Sequence, residues 1–358
     1  MSSISKALGK VVDLGAPWRG IGPFIFAVFH RDDYPAGNAQ LGPSTGTAGH
    51  ALGSDFGHPS GWNMYHGKTV PGFPAHPHKG FETISIVDKG LIDHHDSAGA
   101  GARYGPGDVQ WVTAGNGISH SEMFPLVHED KPNPMEMYQI WINLPAAKKG
   151  SPPDFVMMWS DSIPVVTKES THGTAKVRVI AGSFDGVTAP KPPKNSYASD
   201  PEGDVAIYLV DLDARASVKL PVANNPKTKR LLYVHDRDRS DAAKVNVSGT
   251  WVDNKAGFEQ SAESITTERL TLTAGNAPVK VLVLQGVDID EPVAKHGPFV
   301  MNTQKEIQEA FDLYRKTEFG GWPWDSSAPV YPADKPRFAK FPDGHYEYPE
   351  GEPAAAKA

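Results

Sequence analysis

The sequence predicts an all-β protein of two tandem barrel- or sandwich-like domains, on three observations: its length, its turn content and two series of short apolar runs. At 358 residues the chain exceeds what a single core of about 100–200 residues supports. Its 35 Gly and 32 Pro interrupt it too often for long helices. The apolar runs between them have the length of strands and are bounded by turn residues.

The first run, PFIFAVF at 23–29, reads as a buried strand, and the next forty residues, rich in Gly, Pro, Ser and Asn, read as a long loop. From His76 to Trp141 the runs FETISIV, LIDHHD, DVQWVTA and MYQIWINL are separated by turn signals such as PGD at 106–108 and GNG at 115–117. Residues 1–145 are therefore expected to form one β domain, followed by a connector over 146–174. A second series, KVRVIAG, VAIYLVDL, RLLYVH, ERLTLTA and VKVLVLQG, places a second domain at 175–303, with APKPPKN at 189–195 as a large loop. Thr303 and Glu306 have capping-box spacing, and Ile307, Phe311 and Tyr314 recur at helical spacing, which predicts a helix over 304–316. The proline-rich remainder to 358, with WPW at 322–324, reads as an extended tail without regular structure, anchored by Trp322 and Trp324.

Charge and composition exclude several functions. A net charge of −7 without a basic block gives no footprint for a phosphate backbone, so direct nucleic-acid binding is not expected. With no cysteine, disulfides, thiolate metal sites and cysteine nucleophiles are excluded, which fits a reducing compartment. The segment MSSISKALGKVVDLG lacks the apolar core of a secretory signal, and no apolar run nears the roughly 20 residues that span a bilayer. A cytoplasmic protein without membrane contact is expected. The glycine-bounded run at 61–69 and GAGARYG at 99–105 both miss nucleotide-binding spacing, and HDRDRSD at 235–241 reads as a solvated loop.

Chemistry concentrates in two short segments. His76 and His78 stand two residues apart, so in a strand both imidazoles point to one face. His120 and Glu122 repeat the spacing after a Gly-rich turn. A barrel that brings the segments together would offer three nitrogens and one carboxylate, a set that suits one divalent first-row metal with two positions left open. Iron(II) is the leading candidate, and manganese, nickel, cobalt, copper and zinc stay compatible.

The strings HPHKGFET at 76–83, HHDS at 94–97, PGDVQWVTAGNGISHSE at 106–122 and HGPFVMNT at 296–303 closely resemble the pirin family. The resemblance implies a bicupin, two cupin-type β-barrels or jelly rolls in tandem with iron only in the first. It also implies metal ligation by His76, His78, His120 and Glu122. Glu82, four residues beyond His78, is the competing carboxylate; the resemblance gives the ligand's role to Glu122 and leaves Glu82 to fix a histidine tautomer. His94 reads as a structural histidine with its hydrogen bonds satisfied, and His95, on the opposite face, as solvent-facing.

Two functions follow from the resemblance. One is a quercetinase-type dioxygenase acting on a flavonol-like aromatic substrate and O2, with Glu122 as catalytic base. The other is a metal- or redox-dependent regulatory module that binds a protein partner without turnover. An apolar mouth would favour the first, and Phe24, Phe26, Phe73 and Trp111 are available to line it. The sequence leaves the oligomeric state open. The segment between His30 and Phe73 and the tail after Thr317 are longer than the family pattern, so they are expected to reshape the mouth.

Overall fold

The computed structural model describes residues 8–351; the N-terminal MSSISKA and the last seven residues of the tail lie outside the described residues. Apolar residues alternate inward along short strands, which is what a β-barrel core requires. By internal contacts the chain divides into two compact units, Val28–Asp161 with Glu291–Ala358, and Met1–Ala27 with Ser162–Asp290. Each carries one barrel, and the fold is a bicupin. Among the described residues no helix is long and apolar enough to cross a membrane.

The first-barrel unit is built from β2 (Phe24–Tyr34), β3 (Gly72–His78), β4 (Phe81–Lys89), β5 (Ile92–Asp96), β6 (Gly101–Tyr104), β7 (Val109–Thr113), β8 (Ile118–Met123), β9 (Asn133–Asn143) and β10 (Asp154–Met158). The last of these follows a one-turn helix α1 (Ala146–Lys149). One sheet runs β10-β7-β4-β9-β2, and the other runs from strands 346–347 and 338–340 of the tail through β6, β5 and β8 to β3. Val87, Val112, Met135 and Met137 lie in their shared core.

The second-barrel unit has a large sheet containing β1 (Gly9–Asp13), β11 (Val165–Ser170), β12 (Gly173–Ala181) and the central strands 206–212, 228–236, 256–260 and 279–287. A smaller sheet joins strands 217–219, 271–274, 244–247 and 250–253. Its core is almost wholly aliphatic, with Val177, Val210, Leu232, Val234, Val281 and Val283 fully buried.

Three boundaries differ from expectation. The chain's start pairs with the second barrel, Gly9 to Asp13 lying antiparallel to Gln260 to Ala256. The expected connector contains two strands, since β10 pairs with β7 and β11 with β12. The tail is not free of regular structure either. Phe338–Lys340 adds to the edge of β6, because a run without proline there leaves its backbone free to complete a ladder. The helix α2 spans Gln304–Thr317, and its capping box is formed, Thr303 N donating to Glu306 at 2.8 Å and Glu306 N to Thr303 Oγ1 at 3.2 Å.

Candidate metal centre

Strands β3 and β8 lie antiparallel with His76 opposite His120. Their register shifts between Phe73 and His76, where three steps on β3 match two on β8. This bulge turns the Pro74 carbonyl back onto His76, which donates to it from Nδ1 at 2.8 Å. His76 is thereby held with Nε2 unprotonated, and that nitrogen faces His120 Nε2 at 3.1 Å. The rings of His78 and His120 lie 4.9 Å apart, and one ligand atom from each of the three histidines falls within 4.8 Å of the others.

These residues fit a metal ion on several counts. Two nitrogens each about 2.1 Å from one ion and at right angles would lie about 3 Å apart, close to the His76–His120 separation. Buried His78 and His120 each keep an Nδ1 without a hydrogen-bond partner. Burial first, and then the neighbouring His76, hold both rings well below the ordinary imidazole range; burial likewise lowers His76, against the opposing pull of the Pro74 carbonyl and Glu122. All three are therefore neutral at pH 7, the form that binds a metal.

Glu122 stands two residues from His120, its Oε2 3.9 Å from His120 Nε2. Its carboxylate is held from both sides, Ser85 Oγ donating to Oε1 and Gln139 Nε2 to Oε2, each at 2.7 Å. Neither partner carried a signal in the sequence, because both lie on strands of the opposite sheet. Glu82 is elsewhere. It is fully buried and accepts from Trp111 Nε1 at 2.8 Å and Thr113 Oγ1 at 3.2 Å. Its even spacing from His78 does not put it on the histidines' face, because Lys79 and Gly80 separate β3 from β4, Gly80 with φ +85°, so the face is reset at Phe81. Ser85 then faces the histidines, and Glu82 and Trp111 share the opposite face; Trp111 does not line the mouth.

His94 sits opposite Glu122 on β5, its Nε2 3.2 Å from Asp96 Oδ2 and its ring 5.4 Å from that of His120. Its Nδ1 has no partner, so it is only half satisfied. His95 is not solvent-facing but 2% exposed, stacked on Tyr331 at 4.4 Å with the Trp324 ring edge-on at 4.5 Å. The tail that covers it is held by Trp324 Nε1 donating to the Asp96 carbonyl at 2.9 Å, while Trp322 Nε1 donates within its own turn, to the Ser326 carbonyl. Buried Arg103 completes the clasp, with a two-toothed pair to Asp93 at 2.7 and 2.8 Å and donations to the carbonyls of Tyr331 and Pro332.

Exposure rises toward one end of the barrel. Along β9 the inward residues pass from buried Met135 and Met137 to half-buried Gln139 and Trp141, and half-buried His76 lies 6.3 Å from the Phe73 ring. An open groove of about 530 Å³ reaches His76, its walls formed by His66, Lys68 and Pro74 on one side and Ser326–Ala328 on the other. The long loop and the tail thus both border the mouth.

Known proteins match both cupin domains. The Pirin family model matches residues 46–142, and that of the Pirin C-terminal cupin domain matches 209–320. A Pirin-like protein from Caulobacter vibrioides is 36% identical over 250 residues, covering 69% of this chain and 80% of the relative. A Pseudomonas aeruginosa protein, whose name carries quercetin 2,3-dioxygenase as an unproven assignment, is 34% identical over 251 residues, 69% of this chain and 79% of its own. The crystal structure of a quercetin 2,3-dioxygenase from Acinetobacter baumannii superposes with a TM-score of 0.64 at 25% identity, covering 84% of this chain and 86% of that one. With both cupin domains matched and the three histidines converging in the first, this chain belongs to the pirin family.

Proposed function

We propose that the protein is a metal-dependent dioxygenase of the quercetinase type, with His76, His78, His120 and Glu122 holding one ion, iron(II) in our reading. The observation that carries it is the trio of neutral, inward-facing imidazoles beside a tethered carboxylate, with His76 of the trio reaching an open groove. The names of the Pseudomonas and Acinetobacter relatives support the same chemistry. A bound ion supplies Lewis-acid and redox chemistry toward the paired oxygens of a flavonol and toward O2.

The chain's own residues do the rest. Glu122 accepts the flavonol hydroxyl proton, and Ser85 and Gln139 keep its oxygens aimed while it does so. Phe73 and Trp141 flank His76 and His78 with aromatic faces that favour a flat substrate and exclude water.

Metal analysis of the purified protein, paired with oxygen uptake in the presence of quercetin, tests this reading. One ion per chain and flavonol-dependent uptake are expected. Full metal occupancy with no uptake would move the assignment to a regulatory module that binds a partner without turnover.

A further inference from the structure

The groove that reaches His76 has a chemical character of its own. Its volume of about 530 Å³ is that of an ordinary small-molecule pocket. The long loop supplies one wall with Lys68 and Thr69, and the tail supplies the other with Ser326–Ala328. That tail wall lies outside both family-matched regions, 46–142 and 209–320. It is fixed in place by Ala75 N donating to the Ser327 carbonyl at 2.7 Å and by Ala328 and Val330 packing on Leu41, Val70 and Met123.

Counting donors and acceptors along the walls gives the groove a sign. Four of its carbonyls are already engaged: Gly53 accepts from His66 Nδ1 at 2.6 Å, Pro74 from His76 Nδ1 at 2.8 Å, Ser326 from Trp322 Nε1 at 2.7 Å, and Ser327 from Ala75. The donors are not. Among the described residues the Lys68 ammonium has neither an ion-pair nor a hydrogen-bond partner, and the hydroxyls of Thr69 and Ser327 have none either. No Asp or Glu lines the groove, although the chain carries 42 acidic against 35 basic residues, and Asp325, next to Ser326 in sequence, is not on the wall. A concave site with an unpaired cation, free hydroxyls and no carboxylate is complementary to an anion.

The packing of Ala328 and Val330 would suffice to pin the tail. That role leaves unexplained an open, acid-free groove beside it that ends on a metal ligand. We propose that this groove is an anion subsite, in which Lys68, Thr69 and Ser327 receive an oxyanion that an aromatic substrate carries away from the atoms that approach the metal. The inference rests on the dioxygenase reading and adds a requirement for charge: the substrate is an aromatic acid, not a neutral ring system. A lysine ammonium is a point charge on a flexible stem, so it selects the sign of the group more than its shape, and carboxylate and sulfonate serve alike. Because Lys68 is exposed, the attraction is modest and sensitive to salt.

The test is anaerobic binding to the full-length, metal-loaded protein, comparing quercetin with the same flavonol sulfonated on its catechol ring, which keeps the metal-binding oxygens and adds one negative charge. Wild type should favour the sulfonate by about fivefold at low salt, the upper end for a solvent-exposed ion pair, and the preference should shrink as salt is raised. Lys68→Gln should bring the ratio close to one, a change in ratio that general damage to the site would not produce. Lys68→Arg, which keeps the charge, should preserve it. No preference in the wild type, or an unchanged ratio in Lys68→Gln, overturns the proposal. If the ratio behaves as expected but oxygen uptake is absent with both compounds, only the dioxygenase reading falls; if neither compound binds, both fall.

Discussion

The two barrels share a fold and differ in how they treat buried polar atoms. In the second-barrel unit the inward positions are aliphatic, and the one large buried cation, Arg230, is tied to the side-chain oxygens of Gln260 and Gln285. Among the described residues, no buried side-chain nitrogen or oxygen of that unit lacks a hydrogen-bond partner. In the first-barrel unit the buried rings of His78, His94, His95 and His120 each keep one nitrogen without a partner. An unsatisfied buried polar group costs about 1–3 kcal/mol, so the first barrel carries in its histidines a cost that the aliphatic second barrel avoids. The same architecture thus separates stability from chemistry by what it leaves unpaired.

The sharpest way to break this comparison is to remove a ligand. His120→Ala should strip the ion almost completely, a loss larger than the about 10- to 100-fold that an outer partner's removal costs. His235→Ala, in the second barrel, should leave metal content unchanged; elemental analysis of both variants decides the matter. Next comes Glu122→Gln, which keeps the shape but removes the basicity. Oxygen uptake per bound metal should fall by about 10²–10⁴, and equal per-metal rates would remove Glu122 as the base.

Arg103→Met should destabilise the first-barrel unit by about 3–5 kcal/mol, because it leaves the buried Asp93 carboxylate without its cation. Chemical denaturation should show that loss, and a variant as stable as wild type would mean the clasp is dispensable. The last expected effect is on acid stability. Burial lowers His30 to about 4 and, with the charges of His94 and Arg103, lowers His95 to about 3. The unfolded chain takes up these protons near pH 6.5, ahead of the native state, so stability is full above that pH and is lost progressively as pH falls toward 3. Melting curves from pH 7 to 4 should show this loss, and it should shrink in His95→Phe.

Much of the site was legible in the sequence because the i, i+2 spacing of His76–His78 and His120–Glu122 needs only local strand geometry to align each pair. The helix at 304–317 was legible for the same reason, since its capping box is local. What failed depended on distant chain or on a broken register. Glu82 was misplaced because the Lys79–Gly80 turn reset the strand's parity. His95 was misread because its cover, Trp324 and Tyr331, is supplied from more than 200 positions later. A hydrogen-bonded chain from Asp32 through Tyr65 to His30 left no trace at all, because its members come from a strand and an irregular loop with no repeating interval.

The strand at 338–340 that completes the edge of β6 has a consequence in time. On the ribosome the first barrel emerges early, yet that edge strand, with Tyr331 and Trp324 over His95, arrives only after the whole second barrel has been made. At a synthesis rate of about 5–20 residues per second, the delay is on the order of 10–50 seconds. During that interval the β6 edge is bare, a strand edge of the kind that invites wrong pairing. The first barrel is therefore begun first and finished last, and a chain stalled at residue 321 should be open to protease along β6 where the released protein is resistant.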